Sequence, residues 1–142
     1  MMQVRSYLMA SPIEGIGVFA GESIAKGTLV WALNPRFDIF VRESEMDSLP
    51  PHMREYLARY SYPHLEEPGV VILDCDNGKH MNHSEMPNTD FTAFSRGIAI
   101  RDIAEGEELT CNYREFDPAF SGFMNDVLLS NSVRVGLSPA QK

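Results

Sequence analysis

Two short segments concentrate the reactive and polar chemistry of this chain. Asn82-His83-Ser84-Glu85-Met86-Pro87-Asn88 sets an amide, an imidazole and a hydroxyl at successive positions, ahead of a turn fixed by Pro87 and Asn88. Gly106-Glu107-Glu108-Leu109-Thr110-Cys111-Asn112-Tyr113 reads as a strand ending on a tyrosine. With a pKa of about 10, a tyrosine can orient a reacting group and face it with an oxygen, but it is a poor general base near neutrality. Upstream, the alternating glycines of Gly15-Ile16-Gly17 mark a tight turn that tolerates unusual dihedrals. A dinucleotide-binding turn fits poorly there, because no third glycine follows at the required place and no βαβ pattern surrounds it.

Singly, each segment has a plain alternative: a capped surface loop, a turn, a strand-end tyrosine half in the core. Asn82-His83-Ser84 also fits the N-glycosylation pattern, although no secretory route is visible. In order and together, the segments resemble the signature blocks of SET-domain protein lysine methyltransferases, written in that family as NHSxxPN and GEELTxxY. Gly15-Ile16-Gly17 stands where the family places its glycine-bearing cofactor turn. The resemblance covers about residues 3 to 117. It implies a SET domain over residues 1–117, with a C-terminal extension, 118–142, that covers the cofactor or substrate site.

The roles that follow are those the resemblance implies. Asn82, His83 and the Gly15, Ile16, Gly17 turn hold S-adenosylmethionine, and Tyr113 is the catalytic residue. Phe116, the nearest of Phe116, Phe120 and Phe123 to Tyr113, closes over the cofactor. Phe91 and Cys111 line a narrow channel for the substrate lysine, and the small Cys111 leaves room for higher methylation. Leu33 occupies a region where many relatives carry a channel tyrosine, and Cys111-Asn112 replaces the frequent aromatic–aspartate pair. Cysteine clusters that bind zinc around many histone-directed relatives have no counterpart.

Whole-chain properties set the remaining bounds. A chain of 142 residues with 44% hydrophobic and 23% charged content suits one soluble globular domain. No apolar run approaches the ~20 residues that span a bilayer, so no membrane association is expected. The opening Met-Met-Gln-Val-Arg-Ser-Tyr lacks the form of a signal peptide, which makes a cytoplasmic location the expectation. Cys75 and Cys111 form no CxxC pair, and His52, His64, His80 and His83 lack chelating context, so no metal site is expected. The net charge of −8 disfavours direct nucleic-acid binding and suits a basic, lysine-bearing protein or peptide. Glu105, Glu107, Glu108, Glu115 and Asp117 would add to that attraction if they surround the channel.

Short apolar alternations predict strands over Val4–Met9, Ile16–Ala20, Thr28–Leu33, Phe37–Val41, Val70–Leu73, Phe91–Phe94, Ile98–Ile103 and Glu108–Cys111. Asp76-Asn77-Gly78-Lys79 predicts a hairpin turn. A helix opens at Ser48 or Pro50, repeats Met53, Tyr56, Leu57 and Tyr60 on one face, and closes at Pro63. Asp117-Pro118 could cap a short helix, and Phe123 to Leu129 has helical spacing. The fold class is therefore α+β and predominantly β; the resemblance adds several small sheets and a tyrosine segment threaded beneath a preceding loop. The expected reaction is methyl transfer from S-adenosylmethionine to a lysine amine in a basic protein. A SET-like peptide- or cofactor-binding module with little catalysis, and methylation of a small-molecule amine, remain alternatives. A homodimer is compatible with so small a domain.

Overall fold

The computed structural model describes residues 1–120. In chain order it contains β1 (Ser6–Ala10), β2 (Ile16–Ala20), β3 (Leu29–Ala32), β4 (Ile39–Arg42), α1 (Glu43–Met46), α2 (Pro51–Tyr60) and β5 (Ser61–Pro63). There follow β6 (Val70–Leu73), β7 (Asn82–His83), β8 (Thr89–Asp90), β9 (Arg96–Ala99) and β10 (Glu108–Cys111). Single 3₁₀ turns occupy Asn77–His80 and Tyr113–Glu115. The strands assemble into three small sheets, ordered β1-β2-β10-β7, β3-β9-β8 and β4-β6-β5. This is a β-rich α+β architecture.

The two most apolar segments take the inner places. β2 lies between β1 and β10, and β6 lies between β4 and β5; past Ile16, every residue of both strands is buried. β1 is an exposed edge strand whose Tyr7 stacks on its cross-strand partner Phe19 at 5.9 Å. The main core joins Val18, Ala20, Val30, Ala99, Leu109 and Cys111 from the first two sheets. A smaller cluster of Met46, Leu57, Val71 and Leu73 fixes the helices on the third sheet.

Several expected boundaries shift for local reasons. α2 starts at Pro51, where proline loses no helical hydrogen bond, and Ser61 Oγ donates to the Leu57 carbonyl (2.6 Å) as the helix ends. Pro63 does not terminate the helix directly; it lies in β5, which pairs with β6. Phe91–Phe94 is not a strand, because the Phe91 N–H is taken by Glu115 (2.7 Å) and Asp90 accepts from the Thr92 N–H (2.7 Å). The pairing falls instead on β8, the two residues immediately before Phe91. The Asp76–Lys79 segment gives the 3₁₀ turn Asn77–His80 rather than a hairpin, since the capping Asp76 side chain accepts from the Gly78 N–H (3.0 Å). Asp117 Oδ1 accepts from the Ala119 N–H (3.1 Å), making a turn after Phe116. Phe123 and the helical pattern from 123 to 129 lie outside the described residues.

Candidate active site

The two polar segments meet through backbone and side-chain bonds. β7 and β10 pair in parallel, with Asn82 opposite Thr110 and His83 opposite Cys111. Asn88, almost fully buried, continues the junction: its Oδ1 accepts from the Thr110 N–H (2.8 Å) and its Nδ2 donates to the Glu108 carbonyl (2.7 Å). Thr89 Oγ1 adds a bond to the Thr110 carbonyl (2.7 Å). The Pro87–Asn88 turn is thus tied to the strand that leads to Tyr113.

Asn82 reaches in the other direction, to the glycine turn. Its Nδ2 donates to the Glu14 carbonyl (3.1 Å), the Ile16 carbonyl (3.4 Å) and Glu108 Oε1 (2.9 Å). Glu108 also accepts from Ser11 Oγ at 2.8 and 2.9 Å. Gly15 sits at φ +49°, a conformation that disfavours a side chain. Gly17 is required for another reason: a Cβ there would lie 2.1 Å from Glu108 Oε1. Glu108, read in the sequence as one of a run of surface charges, is therefore the strut that joins turn, strand and Asn82.

His83 and Tyr113 are coupled through the backbone. The Tyr113 N–H donates to His83 Nδ1 (3.1 Å), which leaves Nε2 to carry the imidazole proton toward Glu85 (3.3 Å). Glu85 in turn accepts two bonds from Arg114, at 2.8 and 2.7 Å. Tyr113 lies just beyond the strand, at the start of a 3₁₀ turn that Asn112 caps through the Arg114 N–H (3.1 Å). Its hydroxyl donates to the Met81 carbonyl (2.7 Å). Burial raises the phenol pKa above its ordinary value, so the oxygen stays protonated and offers lone pairs only.

A cavity of about 650 Å³ brings Gly15, Ile16, Asn82, Phe91, Cys111 and Tyr113 onto one wall system. Gly17 and His83, expected to hold the cofactor, are not among its lining residues: Gly17 leaves room for the Glu108 carboxylate, and His83 accepts from the Tyr113 N–H. Phe116 also lines the cavity, where its ring packs against Phe91 (5.6 Å), Tyr113 (5.6 Å) and Tyr62 (5.5 Å). Phe91 lies over Gly97, where a Cβ would come within 2.4 Å of the ring, and contacts Trp31 at 5.5 Å. Cys111 is buried, which raises its thiol pKa and keeps it neutral.

Trp31, Tyr62 and Asp74 line the same cavity and were not singled out by sequence reasoning. The expected acidic rim is also partly internal. Glu107 accepts from Arg101, Asn88 and the Ala104 N–H, and Arg101 holds its carboxyl below the usual range. Glu108 and Glu115 are likewise occupied by side-chain and backbone donors. These three carboxylates act first as struts.

Comparison with known proteins places this arrangement. The family model for the SET domain matches residues 15–114, well over half of the chain. The chain belongs to the SET-domain family. Solved structures agree with this SET fold. A Polycomb Repressive Complex 2 chain of Chaetomium thermophilum, a humanized mutant bound to an inhibitor, is 26% identical with a TM-score of 0.55. That alignment covers 80% of this SET chain but only 15% of the polycomb chain. The same complex in an autoinhibited conformation bound to S-adenosylmethionine gives 25% identity and a TM-score of 0.57, covering 90% of this chain and 17% of that one. A putative histone methyltransferase of Plasmodium falciparum, 22% identical with a TM-score of 0.54, covers 79% and 95% respectively and shows the fold alone. No curated protein gives a significant match.

S-adenosylmethionine is the cofactor of SET methyltransferases, and the residues present fit it. The cavity volume lies in the range of sites for molecules of that size. Its wall combines the exposed backbone of the Gly15 turn, the Asn82 amide and side chains of both signs, Glu14 facing Arg59 at 3.1 Å with Lys79 nearby on the lining. Such a mixture suits an amino-acid zwitterion.

Proposed function

We propose that this SET domain transfers the methyl group of S-adenosylmethionine to the side-chain amine of lysine in a basic protein. The arrangement of Tyr113 is the observation that carries this reading: its phenol oxygen shares a cavity with the clamped Gly15 turn and Asn82. When bound, the cofactor supplies an electrophilic methyl on a sulfonium. The chain's own residues hold and orient the partners. Asn82, Glu108 and Ser11 fix the turn; Tyr113 fixes the amine.

A lysine amine at pKa ~10.4 must lose a proton before it can attack, at a cost of about 4–5 kcal/mol at pH 7. Tyr113 is not the acceptor of that proton, because its own proton is committed to Met81 and burial opposes ionisation. The proton leaves to solvent, and Tyr113 accepts an N–H of the substrate to align its lone pair. The same oxygen would offer weaker contacts to the polarised hydrogens of a bound methyl group. The net charge of −8 favours a cationic protein as the lysine carrier.

The test is transfer of labelled methyl to a mixture of basic proteins, comparing wild type with Tyr113→Phe. The expected result is a loss of kcat of about a hundredfold, the scale of a misplaced reactant, with S-adenosylhomocysteine still bound. Unchanged transfer by the variant would remove Tyr113 from the reaction.

A further inference from the structure

A closed circuit of bonds outside the cavity holds the backbone from which the Tyr113 ring hangs, and both of its ends meet on Glu85. One end runs through β7: Glu85 Oε1 faces His83 Nε2 (3.3 Å), and His83 Nδ1 accepts from the Tyr113 N–H (3.1 Å). The other end is direct. Arg114 Nη1 donates to both Glu85 oxygens, at 2.8 and 2.7 Å. Tyr113 and Arg114 are consecutive and open the 3₁₀ turn Tyr113–Glu115, so one carboxylate grips that turn at two adjacent residues. None of Glu85, His83 and Arg114 lines the cavity. Glu85 also falls on one of the two positions left open in the NHSxxPN block, so the carboxylate is this chain's own addition.

The circuit has a fixed polarity. An ionised carboxylate accepts and cannot donate, so the imidazole proton sits on Nε2 and Nδ1 keeps its lone pair for the Tyr113 N–H. Arg114 holds the Glu85 carboxyl below its ordinary range, and His83 adds to the effect, so the acceptor stays charged. His83 cannot turn away. It is buried, paired opposite Cys111, and its ring packs on Tyr113 and Phe120 at 5.3 and 4.7 Å.

The phenol itself has one anchor of its own, the Met81 carbonyl (2.7 Å). Its place in the cavity therefore depends on two things, that bond and the backbone of the turn. We infer that Glu85 is a positioning residue: acting through His83 and Arg114, it sets where the Tyr113 oxygen stands while touching neither cofactor nor substrate. This deepens the function proposed above and rests on it. An ion pair at the surface stabilises a fold little, so the value of this one is geometric. A bidentate guanidinium–carboxylate fork restricts direction as well as distance, and a catalytic group misplaced by ~1 Å can lose about a hundredfold in rate.

The experiment measures kcat and KM for a lysine peptide, the Kd of S-adenosylhomocysteine and Tm in wild type, Glu85→Ala, Glu85→Gln, Tyr113→Phe and the double variant Glu85→Ala/Tyr113→Phe. Glu85→Ala should lower kcat about tenfold, a fraction of what full misplacement costs. Peptide KM and S-adenosylhomocysteine Kd should stay within about twofold, and Tm within about 2 °C. Glu85→Gln keeps an oxygen for His83 Nε2 and should bring kcat back to within about threefold of wild type; it decides the matter if the alanine variant folds poorly. In the Tyr113→Phe background, Glu85→Ala should change the residual kcat less than about twofold, because residues that act as a unit are not additive. An unchanged kcat in Glu85→Ala overturns the inference. So does a tenfold loss repeated in the Tyr113→Phe background, or a loss of kcat matched by losses of Tm and S-adenosylhomocysteine affinity, either of which leaves Glu85 a purely structural role. Absence of any lysine methylation by wild type overturns the underlying function as well.

Discussion

Gly17→Ala should weaken S-adenosylhomocysteine binding about a hundredfold while the protein remains folded. The new Cβ would sit 2.1 Å from Glu108 Oε1 and 2.8 Å from its Cδ, so the carboxylate must swing away. It then abandons Ser11 Oγ and Asn82 Nδ2, the two donors that lock the Gly15 turn to β10. Hydrogen bonds to a charged group contribute ~1.5–3 kcal/mol each, so losing two is enough to cover the ~2.8 kcal/mol that separates a hundredfold. Ser11 and the turn lie at the surface and can take up water, which confines the damage to the binding site. Calorimetric titration gives the affinity. A companion, Glu108→Asp in the Gly17→Ala background, retracts the carboxylate by one methylene and should recover part of the loss as a non-additive term. Affinity within about threefold of wild type in Gly17→Ala would show that the strut does not set the turn.

The second large effect lies on the opposite wall. In Gly97→Ala, the added methyl would meet Phe91 Cζ at 2.4 Å and both Cε atoms at 2.7 Å. Phe91 cannot retreat freely, because Trp31 and Phe116 face it at 5.5 and 5.6 Å. Overpacking of this kind costs about 1–3 kcal/mol, which lowers Tm by roughly 5–10 °C in a domain of this size. The ring also moves toward the cavity, so kcat/KM for the lysine peptide should fall further than stability alone requires. Phe91→Leu in the same background should restore Tm by removing the ring tip. A Tm unchanged by Gly97→Ala would mean that the sheet yields where the side-chain packing suggests it cannot.

What the sequence revealed of the site depends on distance along the chain. Asn82, Tyr113 and the Gly15 turn were legible because family motifs name them at fixed spacing, and the cavity does gather Gly15, Ile16, Asn82, Phe91, Cys111, Tyr113 and Phe116. The strands at Ile16–Ala20, Val70–Leu73 and Glu108–Cys111 emerged from short apolar or alternating stretches, and all three are inner strands of their sheets. Two-residue strands such as β7 and β8 carry no periodicity and could not be read. Trp31, Tyr62 and Asp74 were missed for a different reason. They come from β3, β5 and the residue after β6, and only the tertiary fold makes one hydrogen-bonded group of them. Glu108 was misjudged because its composition resembles a solvated charge run, whereas its partners, Ser11 and Asn82, lie far away in sequence.

The sheet order β1-β2-β10-β7 also fixes when the site can exist. β2 is made well before its partner residues Glu108 and Leu109, the first of which follows Phe19 by 89 residues (108 − 19). Until they arrive, Phe19 and Val18 have no neighbour on that side, Asn82 has no Thr110, and the Gly15 turn has no strut. Such non-local pairing slows folding, since a long loop must close before any contact rewards it. Within the described fold the pocket therefore closes late, and a chain that still lacks β10 cannot hold cofactor. A ligand in that pocket then stabilises the closure of the whole domain, and the mature protein's resistance to unfolding should rise with cofactor supply.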